Sequence, residues 1–238
     1  MQKFTLNIIL LLALNSAYSQ KVEIIRQSEN LISKTDNYFA FLETTTDTLQ
    51  LTFVATVKAS GKKNDVSLQN LFYKIHNKAN ALGANSFKLN TYISNDSTTE
   101  SVLILDTYVG SVAVLDTNFD HHEQNMIVIF GDDKINGSDT YSFKINDEKK
   151  NIKSGTYYKY IIAKDREIKI NNGGFLGMTV FLKWKPNKQA AFLSLTGFGI
   201  GGPLSSQTIG LSFNTGRINS IEGDFGLLLM QILKQSPK

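Results

Sequence analysis

Hydrophobic positions along this chain follow two rhythms, and the change between them falls near its middle. Leu49-Gln50-Leu51-Thr52-Phe53-Val54-Ala55-Thr56-Val57 mixes alternation with a continuous apolar patch, which suits a buried strand. Turn chemistry follows in Ala59-Ser60-Gly61-Lys62-Lys63-Asn64-Asp65. Leu68, Leu71, Phe72, Ile75, Ala79 and Leu82 then recur at spacings of three and four, which places them on one face of a helix. Asn64 or Asp65 is positioned to cap its start, and Gly83 stands where a left-handed C-terminal cap is wanted. Residues 84–93 alternate again, with Phe87 and Leu89 inward and Tyr92 or Ile93 joining them. Residues 95–99 read as a turn and 102–108 as a further strand. The order β–turn–α–β–β predicts an α+β layer with the helix on one sheet face.

From Met126 the pattern shortens. Residues 126–130, 141–145, 157–162 and 167–170 are brief strand-like runs punctuated by Gly131-Asp132, Asn136-Gly137, Lys153-Ser154-Gly155 and Asn171-Asn172-Gly173-Gly174. Further strands are expected near 178–182, 190–195, 208–213 and 227–232. Such spacing predicts an all-β, sandwich-like unit. The stretch 111–125 fits neither rhythm, and its polar run Asp116-Thr117-Asn118-Phe119-Asp120-His121-His122-Glu123 reads as a linker. The expected fold class is α+β. A small β-α-β-β layer domain spans 20–115, a linker spans 116–125, and a β-sandwich-like domain spans 126–238.

The amino terminus changes the picture of where this fold works. After Met1-Gln2-Lys3, an apolar run of about eleven residues ends at Asn15-Ser16, inside the ~7–15 of a signal-peptide core. It is too short for a membrane-spanning helix, which needs about 20 residues. Ala17 and Ser19 supply small residues for cleavage after Ser19, so 1–19 is expected to be removed. No cysteine follows the cleavage site to take a lipid. The 238 residues contain no cysteine at all, which excludes disulfides, thiolate metal sites and a cysteine nucleophile. A cysteine-free exported chain points to a bacterial periplasm or cell surface. Lys and Arg number 25 against 21 Asp and Glu, and the lysines are scattered, so the stripe expected of a nucleic-acid binder is absent.

The segment Asn77-Lys78-Ala79-Asn80-Ala81-Leu82-Gly83-Ala84-Asn85-Ser86-Phe87 resembles a junction found in small bacterial envelope α/β domains. There a helix ends in alanine–spacer–Gly-Ala-Asn and runs into a strand. The resemblance covers about residues 50–93, and it implies a structural signature without catalytic residues. In texture, the second half resembles β-sandwich modules of bacterial surface and periplasmic proteins.

Candidate chemistry is sparse. Asp120, His121, His122 and Glu123 offer imidazole and carboxylate ligands for zinc or a similar ion. Adjacent residues on a strand point to opposite faces, so a solvated linker is the competing reading. Asp132, Asp133 and Asp139 carry oxygens suited to calcium, but their spacing does not match a twelve-residue calcium loop. Gly199-Ile200-Gly201-Gly202-Pro203 is glycine-rich but opens no helix that would present N–H groups to a phosphate. The lone Trp184, between Lys183 and Lys185, offers a flat platform for a ligand or a cover for the sandwich edge. Asp47-Thr48-Leu49 and Asp96-Ser97-Thr98 resemble short O-glycosylation acceptor sites of some envelope bacteria. No catalytic constellation or cofactor motif emerges. The sequence therefore leads to an exported, non-enzymatic module that binds an envelope protein or glycan. A carboxylate-based hydrolase and a carrier of a small apolar ligand in the β unit are the alternatives. Oligomeric state is open.

Overall fold

The computed structural model describes residues 21–29, 38–62, 66–94, 100–132, 137–173, 177–196 and 218–236. Strands β1 (Lys21–Gln27), β2 (Ala40–Phe41), β3 (Thr52–Lys62), β4 (Ser86–Ile93) and β5 (Glu100–Val109) form one sheet in the order β1-β3-β5-β4-β2. Its pairs are antiparallel except β2 with β4. Helix α1 (Leu68–Ala81) buries Leu68, Leu71, Phe72, Ile75 and Ala79, the stripe expected from their spacing. These side chains share a core with Val54, Val57, Leu103 and Leu105 of the sheet. The N-cap is Ser67, whose Oγ accepts the Asn70 N–H at 3.1 Å. It stands next to the first helical residue, the position from which a side-chain oxygen reaches the third N–H. Asn64 and Asp65, the expected caps, lie outside the described residues.

The alanine–Gly-Ala-Asn junction has a complete physical account. Gly83 adopts φ 90°, donates to the Asn80 carbonyl, and lets the Ala84 N–H return to the Ala79 carbonyl, both at 3.0 Å. This is a Schellman ending, which needs a residue tolerant of the left-handed region. The next residue, Asn85, is buried and forms two bonds with Gly110: Nδ2 donates to the Gly110 carbonyl and Oδ1 accepts the Gly110 N–H, each at 2.9 Å. The side-chain amide thus behaves as an extra peptide unit and extends the β4–β5 ladder.

After helix α2 (Val112–Asp120) come β6 (Met126–Phe130), β7 (Thr140–Ile145), β8 (Glu148–Lys153), β9 (Thr156–Ile161), β10 (Glu167–Asn172), β11 (Met178–Lys183), β12 (Ala191–Ser194), β13 (Asn219–Ile221), helix α3 (Gly223–Ile232) and β14 (Lys234–Gln235). They build two more sheets, β13-β12-β6-β9-β14 and β11-β10-β7-β8. The second of these is antiparallel throughout. The five-stranded β13–β14 sheet is buried on both faces. Met126, Val128, Phe130, Tyr157 and Phe192 join the core of α1, α3 and the first sheet. Their neighbours Ile127, Ile129, Tyr158 and Leu193 turn the other way and pack with Phe143, Ile145, Ile152, Ile168 and Ile170 of the four-stranded sheet. Phe72 of α1 and Phe225 of α3 stack at 5.1 Å between ring centroids. The first core therefore takes in residues from both sides of the expected linker.

Three sequence expectations change. Residues 116–120, expected in a linker, are the second half of α2, which Ser111 caps. The one buried residue of that helix is Asn118, so no apolar stripe announces it. Residues 227–232, expected as a strand, lie in α3. A short run that is apolar on all sides carries no period, and its Leu and Met content favours the helix. Strand β8 was not foreseen, because Ile152 is its single buried residue. The expected strand at 208–213 and the glycine-rich 199–203 lie outside the described residues.

Candidate binding face

The outer face of the four-stranded sheet is assembled by strict alternation. β10 pairs with β11 so that Glu167 faces Lys183, Lys169 faces Phe181 and Asn171 faces Thr179. Asn171 faces Lys144 on β7, and Lys144 faces Lys149 on β8. Phe143, Ile145, Ile152, Ile168 and Ile170 alternate with these and point to the core. Phe181 stands on the opposite side, 56% exposed. A concavity of about 150 Å³ lies on this sheet, lined by Ser142, Lys144, Lys149, Asn171 and Gly173 with Phe143 beneath.

The β7–β8 turn fixes the lysines. Asn146 and Asp147 take φ 48° and 70°, the conformation of a two-residue type I′ hairpin turn. Asn146 also holds the neighbouring strand: its N–H donates to the Lys169 carbonyl at 2.9 Å and its Oδ1 accepts the Lys169 N–H at 3.0 Å. Lys169 Nζ donates to Asp147 Oδ1 at 2.9 Å, and this hydrogen bond, with the lysine's charge, holds the Asp147 carboxyl below the usual range. Polar bonds lie flat across the sheet. Ser142 Oγ donates to Asn151 Oδ1 at 2.6 Å, and Asn171 Nδ2 donates to Thr179 Oγ1 at 2.9 Å and to the Met178 carbonyl at 3.2 Å.

The residues singled out in the sequence are dispersed. Asp120, His121 and Glu123 are exposed at the end of α2, and Glu123 pairs with Lys159. His122 instead turns inward, near the rings of Phe41 and Phe119, with Nε2 at 3.5 Å from Glu43 Oε1. Burial, then the neighbouring His121, lowers the affinity of His122 for a proton, while burial raises the Glu43 carboxyl. His76 stacks on Phe39 at 4.8 Å and meets Asn80 Nδ2 at 2.9 Å. Among the described residues, no three His, Cys, Asp or Glu side chains come together as a metal site. Asp132 is buried and accepts the Tyr141 hydroxyl at 3.1 Å, whereas Asp133 is outside the described residues. Trp184 packs half-buried against the core between the two C-terminal sheets, and its backbone N–H donates to the Arg166 carbonyl. Asp47 caps an exposed turn, Thr48–Gln50, and Leu49 is 92% exposed there. Residues 96–98 are outside the described set.

No family model, curated protein or solved structure matches this chain.

The Asp224 carboxyl is strongly perturbed. Asp224 keeps some surface, yet dense packing and the adjacent Glu222 raise its carboxyl well above the usual range. Both groups are engaged by backbone. Glu222 accepts the N–H groups of Asp224 and Phe225 at 3.1 and 2.9 Å, and Asp224 Oδ1 accepts the Phe41 N–H at 2.8 Å. They cap α3 and dock β2 on it. Sequence reasoning passed over the outer sheet face, since its residues are scattered over four strands. Its one legible signal was the alternation of Lys169 and Asn171 with Ile168 and Ile170.

Proposed function

We propose that this chain is an exported, non-enzymatic binding module of the bacterial periplasm or cell surface. In this reading the α+β half, 20–115, is the mount for a sandwich-like half, 126–238, and the outer face of the four-stranded sheet meets an envelope protein or glycan. The observation that carries it is Phe181, a large ring left 56% exposed on an ordered sheet amid lysines and amides. An apolar platform with a polar surround is the anatomy of a recognition surface. The commitment of Glu222 and Asp224 to backbone caps supports a non-enzymatic role over a carboxylate-based hydrolase. The filled core between the two C-terminal sheets gives the apolar-carrier reading no support.

The test is crosslinking in intact cells with the tagged protein, beside Phe181→Ala, followed by mass spectrometry. A reproducible partner captured by the parent and lost in the variant is the expected result. Equal capture by both would remove this face from the function. Export is checked separately: the purified protein should begin at Gln20, and retention of residues 1–19 would overturn that part.

A further inference from the structure

Lys144 and Lys149 lie directly opposite one another in the β7–β8 hairpin. They come one step after Ile145 and Glu148, which close the two-residue turn. They therefore form a non-hydrogen-bonded pair, in which facing side chains sit closest. Like charges at such a position are destabilising. Lysines on an edge strand have an ordinary role in blocking sheet-to-sheet association, which accounts for Lys149 and Lys153 on β8. It does not account for Lys144, because β7 is internal, between β10 and β8.

The nearby acids answer to other partners. Asp147 feels the charge of Lys144, but its hydrogen bond is to Lys169. Glu167 faces Lys183, and Glu148 pairs with Lys150. The two lysines thus share the concavity with polar groups of defined orientation. Asn171 spends its amide protons on Thr179 and Met178, which leaves Oδ1 to accept from a ligand. Ser142 of the lining donates to Oδ1 of its cross-strand neighbour Asn151, which stands beside the concavity and keeps its amide protons to donate.

We propose that this concavity binds the carboxylate-bearing sugar ring of an acidic glycan, with Lys144 and Lys149 on the carboxylate and Asn171 and Asn151 on ring hydroxyls. The inference rests on the preceding proposal that this face binds, and it names the ligand class. Three features select the class. A volume of about 150 Å³ is of the size that holds one six-membered ring. Two ammonium groups, Lys144 and Lys149, supply compact positive charge for one anionic group. Mixed amide donors and acceptors match the hydroxyls of a sugar.

The experiment is calorimetric titration of the mature protein with an oligogalacturonate, beside a neutral glucan oligosaccharide of equal length and inorganic phosphate. Binding is expected for the uronate alone, weakened by added salt and reduced about tenfold or more in Lys144→Gln/Lys149→Gln. Because that change relieves repulsion, its melting temperature should equal or exceed the parent's. Asn171→Ala should also weaken binding while leaving both charges in place. Absence of uronate binding overturns the inference, as does binding indifferent to these substitutions. Phosphate competing as well as the uronate overturns the sugar assignment. If uronate binding fails while partner capture still depends on Phe181, this inference falls and the binding-face reading stands.

Discussion

Three buried or nearly buried asparagines hold places where the chain changes direction. Asn85 clasps Gly110. Asn118 donates to the Phe41 carbonyl at 2.9 Å and accepts the Glu43 N–H and the Thr46 hydroxyl at 2.9 and 2.7 Å. Asn125, at φ 52°, accepts the Lys185 N–H and donates to the Lys185 carbonyl at 3.0 and 2.9 Å. Each amide supplies donor and acceptor at a point where no strand residue is available. Asn85→Ala removes two buried bonds and strands the Gly110 peptide groups. The expected loss is about 2–4 kcal/mol by denaturant unfolding, and a loss below about 1 kcal/mol would contradict the clasp. Histidine gives a second prediction at this scale. Burial favours neutral His76 and His122 in the folded chain, so the unfolded chain binds more protons. Their contribution to stability is present above the ordinary histidine value of 6.5 and is lost as pH falls below it. His122→Gln should flatten the dependence between about pH 7 and 5 in urea titrations. None of this was legible beforehand. A polar residue that bonds to distant backbone leaves no periodic trace, and Asn118 stood inside what read as a linker.

Helices and strands were legible where one face is apolar and the other is not. α1 shows this, as do β7 and β10, whereas β6, buried at every position, was read from a short continuous apolar run. Legibility failed at both extremes of composition: β8 is too polar, and α3 is apolar on most sides. The α3 sequence did carry a marker, since Glu222 and Asp224 place acids at the helix start, where the dipole favours them. Two substitutions test that element. A Cβ at Gly226 would lie 2.3 Å from the Phe192 ring, which is itself held against Phe130. Gly226→Ala gains about 1 kcal/mol of helix propensity, but overpacking costs about 1–3 kcal/mol. A net loss of stability is expected, and a rise in melting temperature would show that α3 shifts freely. Asp224→Asn keeps an acceptor for Phe41 and removes the raised carboxyl. The folded parent binds that proton more tightly than the unfolded chain, so its stability falls as pH rises from the ordinary value of 3.8 through the raised one. The variant should equal the parent near pH 4 and exceed it near pH 8, as compared by thermal melts.

At the scale of the molecule, the sequence showed two textures and the structure gives them a common core. Phe72 belongs to the first half and Phe225, Phe130 and Phe192 to the second, yet all four meet in one cluster. Hydrophobic pattern reports which residues are buried but not against what, so the shared core was beyond it. Heat or denaturant should therefore melt both halves together. Trp184 is the single tryptophan and reports the core between the two C-terminal sheets, while far-ultraviolet circular dichroism weighs the helices, of which α1 lies in the first half. Coincident curves from the two probes are expected. A tryptophan transition well separated from the helical one would divide the core. Phe225→Ala should cost about 3–5 kcal/mol and shift both probes equally.

The position of α3 in the chain also sets a timetable. The core that joins the halves is completed by Ile221, Phe225, Leu228, Leu229 and Leu233, all supplied by the stretch 218–233. Until that stretch has been synthesised, Phe72, Phe130 and Phe192 have no lid, and collapse of the earlier part yields an open layer instead of a finished protein. A nascent chain lacking its keystone stays pliable. Under the export proposed above, delay written into the order of its own residues would keep the chain threadable through a narrow translocation pore.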